Sequence, residues 1–167
     1  MKTTSPRHHA KGFTLIEILI VMAIIAILAA LSIGGFQYVR AKQDFSTAEL
    51  QISLLSKALE EYKLDHGDYP DPTTGTSPSN ALYTALYYEG ASATPPERIY
   101  LSELDPANNQ QRWTLGSGAS VTIVDPWGQE YIYLIGSDAS ARNPDFDLIS
   151  KGPDNNLSTE GDNVDNF

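Results

Sequence analysis

Two hydrophobic patterns follow one another along the first 66 residues, and they call for different surroundings. Residues 13–33 are apolar on all sides, with Glu17 as the one ionisable side chain among 21 residues. As an α-helix this run would extend about 31 Å, the thickness of the hydrocarbon core of a bilayer. After Gly35 the pattern becomes amphipathic. Phe45, Ala48, Ile52, Leu55, Leu59 and Tyr62 recur at steps of three and four, a single apolar seam at helical spacing. Lys42, Glu49, Glu60, Glu61 and Lys63 fall mainly off that seam. No proline lies between Arg7 and Tyr69, so both patterns are expected to share one helix from Phe13 to His66, about 81 Å long. Gly67 then offers the left-handed residue that commonly follows a helix end.

The remainder is patterned in short pieces. Ser79-Asn80 is expected to cap a short helix that runs to Tyr88 and stops at Gly90. Runs rich in β-formers follow at 98–101, 120–124, 130–135 and 146–149, with Asp125-Pro126-Trp127-Gly128 as a turn between two of them. A long helix followed by a meander of short strands predicts an α+β fold, a small antiparallel sheet packed on the amphipathic half of the helix. Trp127 is expected on the apolar seam, with Tyr83, Tyr87, Tyr88, Tyr131 and Tyr133 as core and rim aromatics.

Glu17 is the feature that a simple membrane anchor leaves unexplained. A carboxylate inside a span costs about 2.5–3.5 kcal/mol even on lenient insertion scales. A secretory signal is disfavoured too, because its apolar core is about 7–15 residues long and this one is longer, although Ala29-Ala30-Leu31-Ser32 offers small residues for cleavage. Lys2, Arg7 and Lys11 precede the run, which predicts that its N-terminal end stays in the cytoplasm.

The segment Lys11-Gly12-Phe13-Thr14-Leu15-Ile16-Glu17 resembles the class III leader of type IV pilins and type II secretion pseudopilins. The resemblance implies a type IV pilin-like fold and a leader, residues 1–12, removed by prepilin peptidase between Gly12 and Phe13, with Phe13 then N-methylated. It also gives Glu17 a role in assembly: partner of the N-terminal amine of a neighbouring subunit, with Phe13 and Glu17 together setting filament register. Where the family usually has a proline, this chain has Gly34-Gly35, either a soft point in the helix or two small residues at the bilayer boundary. The expected organisation is 1–12 leader, 13–36 transmembrane segment, 37–66 amphipathic continuation and 67–167 periplasmic head. Two later segments, Asp68-Tyr69-Pro70 and Val124-Asp125-Pro126-Trp127-Gly128, also resemble pseudopilins, the second the major pseudopilin of type II secretion.

Charge and composition narrow the picture further. The net charge is −10, and residues 68–167 alone carry 15 acids against Arg98, Arg112, Arg142 and Lys151, a net of −11. That sign disfavours nucleic acid as a partner. With no cysteine in the chain there is no disulfide framework and no thiol nucleophile. Of three histidines, His8 and His9 fall in the leader, so a histidine-dependent catalytic constellation is nearly excluded and no enzymatic role is expected.

The acidic C-terminus holds the one candidate binding cluster. Asp154, Glu160, Asp162 and Asp165, interspersed with amides, read either as a solvated tail or as oxygen donors for a hard cation such as calcium. The spacing is not that of an EF-hand. Phe146-Asp147-Leu148-Ile149-Ser150-Lys151-Gly152-Pro153-Asp154 resembles the segment that leads into the calcium loop of major pseudopilins. That resemblance implies Asp154 and the Lys151 carbonyl as ligands, with Asp162 and Asp165 as later carboxylates and Asn156 and Thr159 offering carbonyls. The implied function is a pseudopilus subunit, polymerised with other pseudopilins by an inner-membrane assembly platform. A type IV pilin of an extracellular filament is the alternative, and a membrane-tethered periplasmic binding protein is a more distant one.

Overall fold

In the computed structural model the described residues are 13–95 and 97–167, with the side chains of 31–37 outside the description. The leader expected over residues 1–12, including Gly12, lies outside these residues. The chain divides into two compact units, the first ending at Ala41 and the second spanning Lys42–Phe167.

Helix α1 runs over Leu15–His66, close to the expected bounds. Gly67 ends it with φ +90°, and its N–H donates to the Lys63 carbonyl at 2.7 Å, the left-handed cap that the sequence predicts. In the first unit the side chains from Leu15 to Ile27 are exposed around the whole helix, Leu15 86% and Ile16 65%. Among the described residues no helix is long and apolar enough to cross a membrane; the expected span continues into 31–37.

In the second unit the seam is buried as its periodicity requires. Ala48, Ile52, Leu55 and Leu59 are buried, joined by Ala58, and they share one core with Leu82, Leu86, Trp113, Tyr131, Tyr133 and Leu148. Trp127 packs edge-on against Phe45 with ring centroids 5.0 Å apart. Gln51 also faces inward, which the seam did not predict. Its Oε1 accepts the Tyr131 hydroxyl at 2.6 Å, so its burial leaves that oxygen paired.

The short helix begins earlier than expected. Ser77 is its N-cap, accepting from the Asn80 N–H at 3.3 Å, and Pro78 occupies the first helical position, a slot where its missing donor costs nothing. α2 covers Pro78–Tyr83, a π-helical stretch follows over Thr84–Tyr88, and α3 covers Glu89–Ser92. Gly90 therefore lies inside α3 and not at a stop. Its role is steric: a Cβ there would come within 2.4 Å of the Arg98 carbonyl.

Ser79 and Asn80, expected as caps, instead tie α2 to a strand. The Ser79 hydroxyl donates to the Ile123 carbonyl at 2.6 Å and accepts from the Ile123 N–H at 2.8 Å. Asn80 Nδ2 donates to the carbonyls of Ala119 and Val121.

Two antiparallel sheets form where one was expected. β1 (Thr114–Leu115) pairs with β2 (Thr122–Ile123). β3 (Ile132–Ile135), β4 (Phe146–Ser150) and β5 (Val164–Asp165) make a meander in the order 3-4-5. The expected strand at 98–101 is absent: Tyr100 and Leu101 donate instead to the Leu86 carbonyl within the π-helical stretch. The turn at Asp125 forms as predicted. Gly128 has φ +83° and donates to the Asp125 carbonyl at 2.9 Å. The buried Asp125 carboxylate accepts from the N–H of Trp127 and Gln129 and from the Ser150 hydroxyl at 2.5 Å, locking turn to sheet.

Candidate functional site

Two places carry the candidate residues, one at the start of α1 and one in the C-terminal loop. At the first, Thr14 and Glu17 form a capping box. Glu17 Oε2 accepts from the Thr14 N–H at 2.8 Å and from its hydroxyl at 2.9 Å, while the Glu17 N–H donates to Thr14 Oγ1 at 3.3 Å. Phe13, next to this cap, is 82% exposed. The assembly residues Phe13 and Glu17 are thus both at the helix start, and Glu17 has a local partner within its own chain. The Thr-x-x-Glu pattern was legible in the sequence as an N-terminal signature.

The C-terminal loop is shaped by the register of β4 and β5. Ile149 faces Asp165 and Ser150 faces Val164. Continued past the ladder, that register sets Lys151 opposite Asn163 and Gly152 opposite Asp162. Gly152 has φ +67°, and a Cβ on it would lie 2.1 Å from the Asp162 carbonyl oxygen and 3.4 Å from its carboxyl carbon. The structure therefore brings Gly152, the residue after Lys151, against Asp162.

The other expected ligands do not converge in the same way. Asp154 Oδ1 accepts from the Asn156 N–H at 2.8 Å, and Asp165 Oδ1 from the Phe167 N–H at 3.3 Å. The Asn156 carbonyl accepts from the Thr159 N–H at 3.1 Å, and the Thr159 carbonyl from Asp162 at 3.5 Å. Among the described residues no three acidic or histidine side chains gather into a metal-binding group, so the expected trio of Asp154, Asp162 and Asp165 is not assembled.

A hard oxygen-seeking cation nevertheless fits what the loop offers. Asp162 Oδ1 and Asn163 Oδ1 are both enclosed and have no hydrogen-bond partner. Calcium takes carboxylate, amide and backbone carbonyl oxygens together, and this donor set is of that mixed kind.

The end of α1 carries a separate polar cluster. Arg98 spans Glu61 at 2.6 Å and Asp65 at 2.7 Å. The Tyr100 hydroxyl donates to Asp65 at 3.0 Å, and His66 stacks on Tyr62 at 4.0 Å between ring centroids. Burial and then the Asp65 hydrogen bond push the Tyr100 phenol up to about 12. Burial does the same for Tyr83, also to about 12, with a smaller push from Tyr87 and Asp105. Tyr131 and Tyr133 are raised further, again chiefly by burial. Tyr83, Tyr131 and Tyr133 belong to the core, and Tyr100 packs against it from a partly buried position.

Comparison with known proteins bears on both ends of the chain. The family described as the prokaryotic N-terminal methylation motif matches residues 7–33, and the family described as type II secretion system protein G matches residues 79–166. The type II secretion system core protein G of Escherichia coli K12 is 32% identical over 91% of this chain and 88% of its own length. A type IV major pilin protein of Neisseria gonorrhoeae is 44% identical over 68% of this chain and 62% of its own. A crystal structure of the major pseudopilin from the type 2 secretion system of enterohaemorrhagic Escherichia coli aligns with 78% of this chain and 91% of that one, at 22% identity and a TM-score of 0.45.

Proposed function

Because this chain belongs to the type II secretion system protein G family, we propose that it is a structural pseudopilin subunit that polymerises into a periplasmic pseudopilus driving type II protein secretion. The observation that carries this reading is the first stretch of α1. Leu15, Ile16, Leu19, Met22 and Ile27 stand more than half exposed on an apolar helix whose single charge is Glu17. Exposed apolar surface of this extent calls for lipid or for other subunits to cover it. Lipid covers it before assembly, and neighbouring helices cover it in the filament.

In this reading the protein is a single-pass protein of the inner membrane with its head, residues 67–167, in the periplasm. Prepilin peptidase cuts between Gly12 and Phe13 and methylates Phe13. An assembly platform in the inner membrane then adds the subunit to the polymer, alongside other pseudopilins. Glu17, held by Thr14 in the single chain, meets the Phe13 amine of the neighbouring subunit, so that a charge in an apolar setting is paired. No catalytic role is assigned.

The C-terminal loop belongs to the same reading as a calcium site. What supports it is the pair of enclosed, unpartnered oxygens on Asp162 and Asn163, with the Lys151 carbonyl across the loop neck. Bound there, calcium would supply a cross-link between the end of β4 and the start of β5, a substitute for the disulfide that a cysteine-free chain lacks.

Intact mass with N-terminal fragmentation of the protein from its native membrane tests the proposal. The expected chain begins at Phe13 with one added methyl group. A chain still beginning at Met1, or cut near Ser32, sinks it. Filaments sheared from the cell surface at native expression would favour the type IV pilin alternative.

A further inference from the structure

We propose that the groove at the end of α1, walled by Tyr62, His66 and Tyr100, is a docking site for an arginine side chain of a basic partner protein. Two hollows, of about 400 and 220 Å³, adjoin there and share Tyr62, His66, Ala85 and Glu89 as a common wall. The larger has the size of a small-ligand site. The aromatic rings hold one another in place. His66 stacks on Tyr62 with centroids 4.0 Å apart and planes 10° from parallel, and Tyr100 meets the two edge-on at 5.3 and 6.0 Å. The molecule already seats its own cations on this kind of surface. The Arg98 guanidinium lies 5.0 Å from the centre of the Tyr100 ring, and the Lys63 ammonium 4.2 Å from that of Tyr69. Ring faces attract cations, and a planar guanidinium stacks on them as an ammonium cannot.

Charge selects the same occupant. Asp68, Glu89 and Glu97 line the two hollows and are exposed. Among the described residues their carboxylates make no hydrogen bond or ion pair. The nearby cations are engaged elsewhere, Arg98 with Glu61 and Asp65 and Lys63 with Asp145. Burial, and after it the charge of Glu89, hold the Tyr62 phenol above its ordinary range, so the field of Glu89 reaches the aromatic wall. Such a groove repels anions and gives a neutral ligand no use for three free carboxylates. A second copy would bring a head of the same net −11 over residues 68–167, and like charges oppose that contact. A basic partner gains from both the rings and the acids.

The test is a ¹H–¹⁵N correlation spectrum of the full chain in detergent, titrated with capped Gly-Arg-Gly, Gly-Lys-Gly and the neutral isostere Gly-citrulline-Gly. The arginine peptide is expected to shift the amides of Tyr62, His66, Ala85 and Glu89 with a Kd of about 1 mM. The lysine peptide should bind more weakly and the citrulline peptide not at all. Asp68→Asn combined with Glu89→Gln should weaken arginine binding at least about fivefold. Glu49→Gln combined with Glu103→Gln removes the same charge outside the groove and should leave binding unchanged. Equal weakening by this second pair overturns the proposal, because only the overall field of the head would then be felt. Equal binding of the citrulline peptide overturns it as well, since charge would not be read. Tighter binding of lysine than of arginine removes the guanidinium assignment, and no shift in the groove with any peptide removes the site.

Discussion

Glu17 Oε2 lies 2.8 Å from the backbone nitrogen of Thr14 and 2.9 Å from its hydroxyl, so the one carboxylate of the apolar stretch 13–33 caps its own chain. The cap satisfies helix N–H groups that have no intrahelical partner. The filament role proposed for Glu17 would draw on the same carboxylate. Thr14→Val removes the hydroxyl half of the cap, keeps the backbone N–H that donates to Glu17 Oε2 and leaves the carboxylate, which should lower filament yield by no more than about fivefold, the equivalent of ~1 kcal/mol. Glu17→Ala should abolish filaments altogether. Equal loss in both variants, measured as cross-linked multimers in membranes, would reduce Glu17 to a helix cap.

Calcium should raise the melting temperature of the protein in detergent, and chelator should reverse the rise. A ligand that binds only the folded state stabilises by about 2.7 kcal/mol at a hundredfold excess over its Kd. Asp162→Ala should erase the increment. A melting curve indifferent to both calcium and chelator contradicts the site.

Gly152→Ala should destabilise the head by more than about 2 kcal/mol, since left-handed backbone alone costs an L-residue ~1–2 kcal/mol. The added Cβ would also meet the Asp162 carbonyl at 2.1 Å. Denaturant unfolding reads this directly, and an unchanged midpoint would mean that β4 and β5 do not close the loop in this register.

Ser79→Ala removes the hydroxyl that accepts from the buried Ile123 N–H and donates to its carbonyl, while the carbonyl keeps the Tyr131 N–H at 3.4 Å. Leaving the buried Ile123 N–H unpaired should cost about 1–3 kcal/mol. Ser79→Thr should recover part of it if the extra methyl is accommodated. If alanine melts like the wild type, α2 is not held to β2 through this hydroxyl.

Alkaline pH should unfold the head. Folded Tyr83 and Tyr100 hold their phenolic protons up to about 12, whereas an unfolded tyrosine titrates near 10. The folded state thus binds protons more tightly, so this stability is complete below about pH 10 and is lost as the pH climbs towards 12. Phenolate absorbance should rise together with the loss of near-ultraviolet circular dichroism. Full phenolate titration near pH 10 with the fold intact would refute the burial of these side chains.

The sequence by itself determined what depends on neighbours in the chain. The bounds of α1, its inward seam from Ala48 to Leu59, the Gly67 cap and the Asp125 turn all follow from periodicity and from the conformational limits of glycine and proline, which act within a few residues. Glu17 was legible as the one charge in an apolar run, and the leader only through the resemblance of Lys11–Glu17 to those of pilins and pseudopilins. Only the tertiary structure decided the rest. β1 and β5 are two residues each and exist because a distant strand pairs with them, a preference no local propensity records. Ser79 and Asn80 look like caps in one dimension and become ties between α2 and β2 because the chain folds back 40 residues later. The enclosed oxygens of Asp162 and Asn163 belong to this second class: the fold that sets Asp162 against Gly152 encloses both without a hydrogen-bond partner.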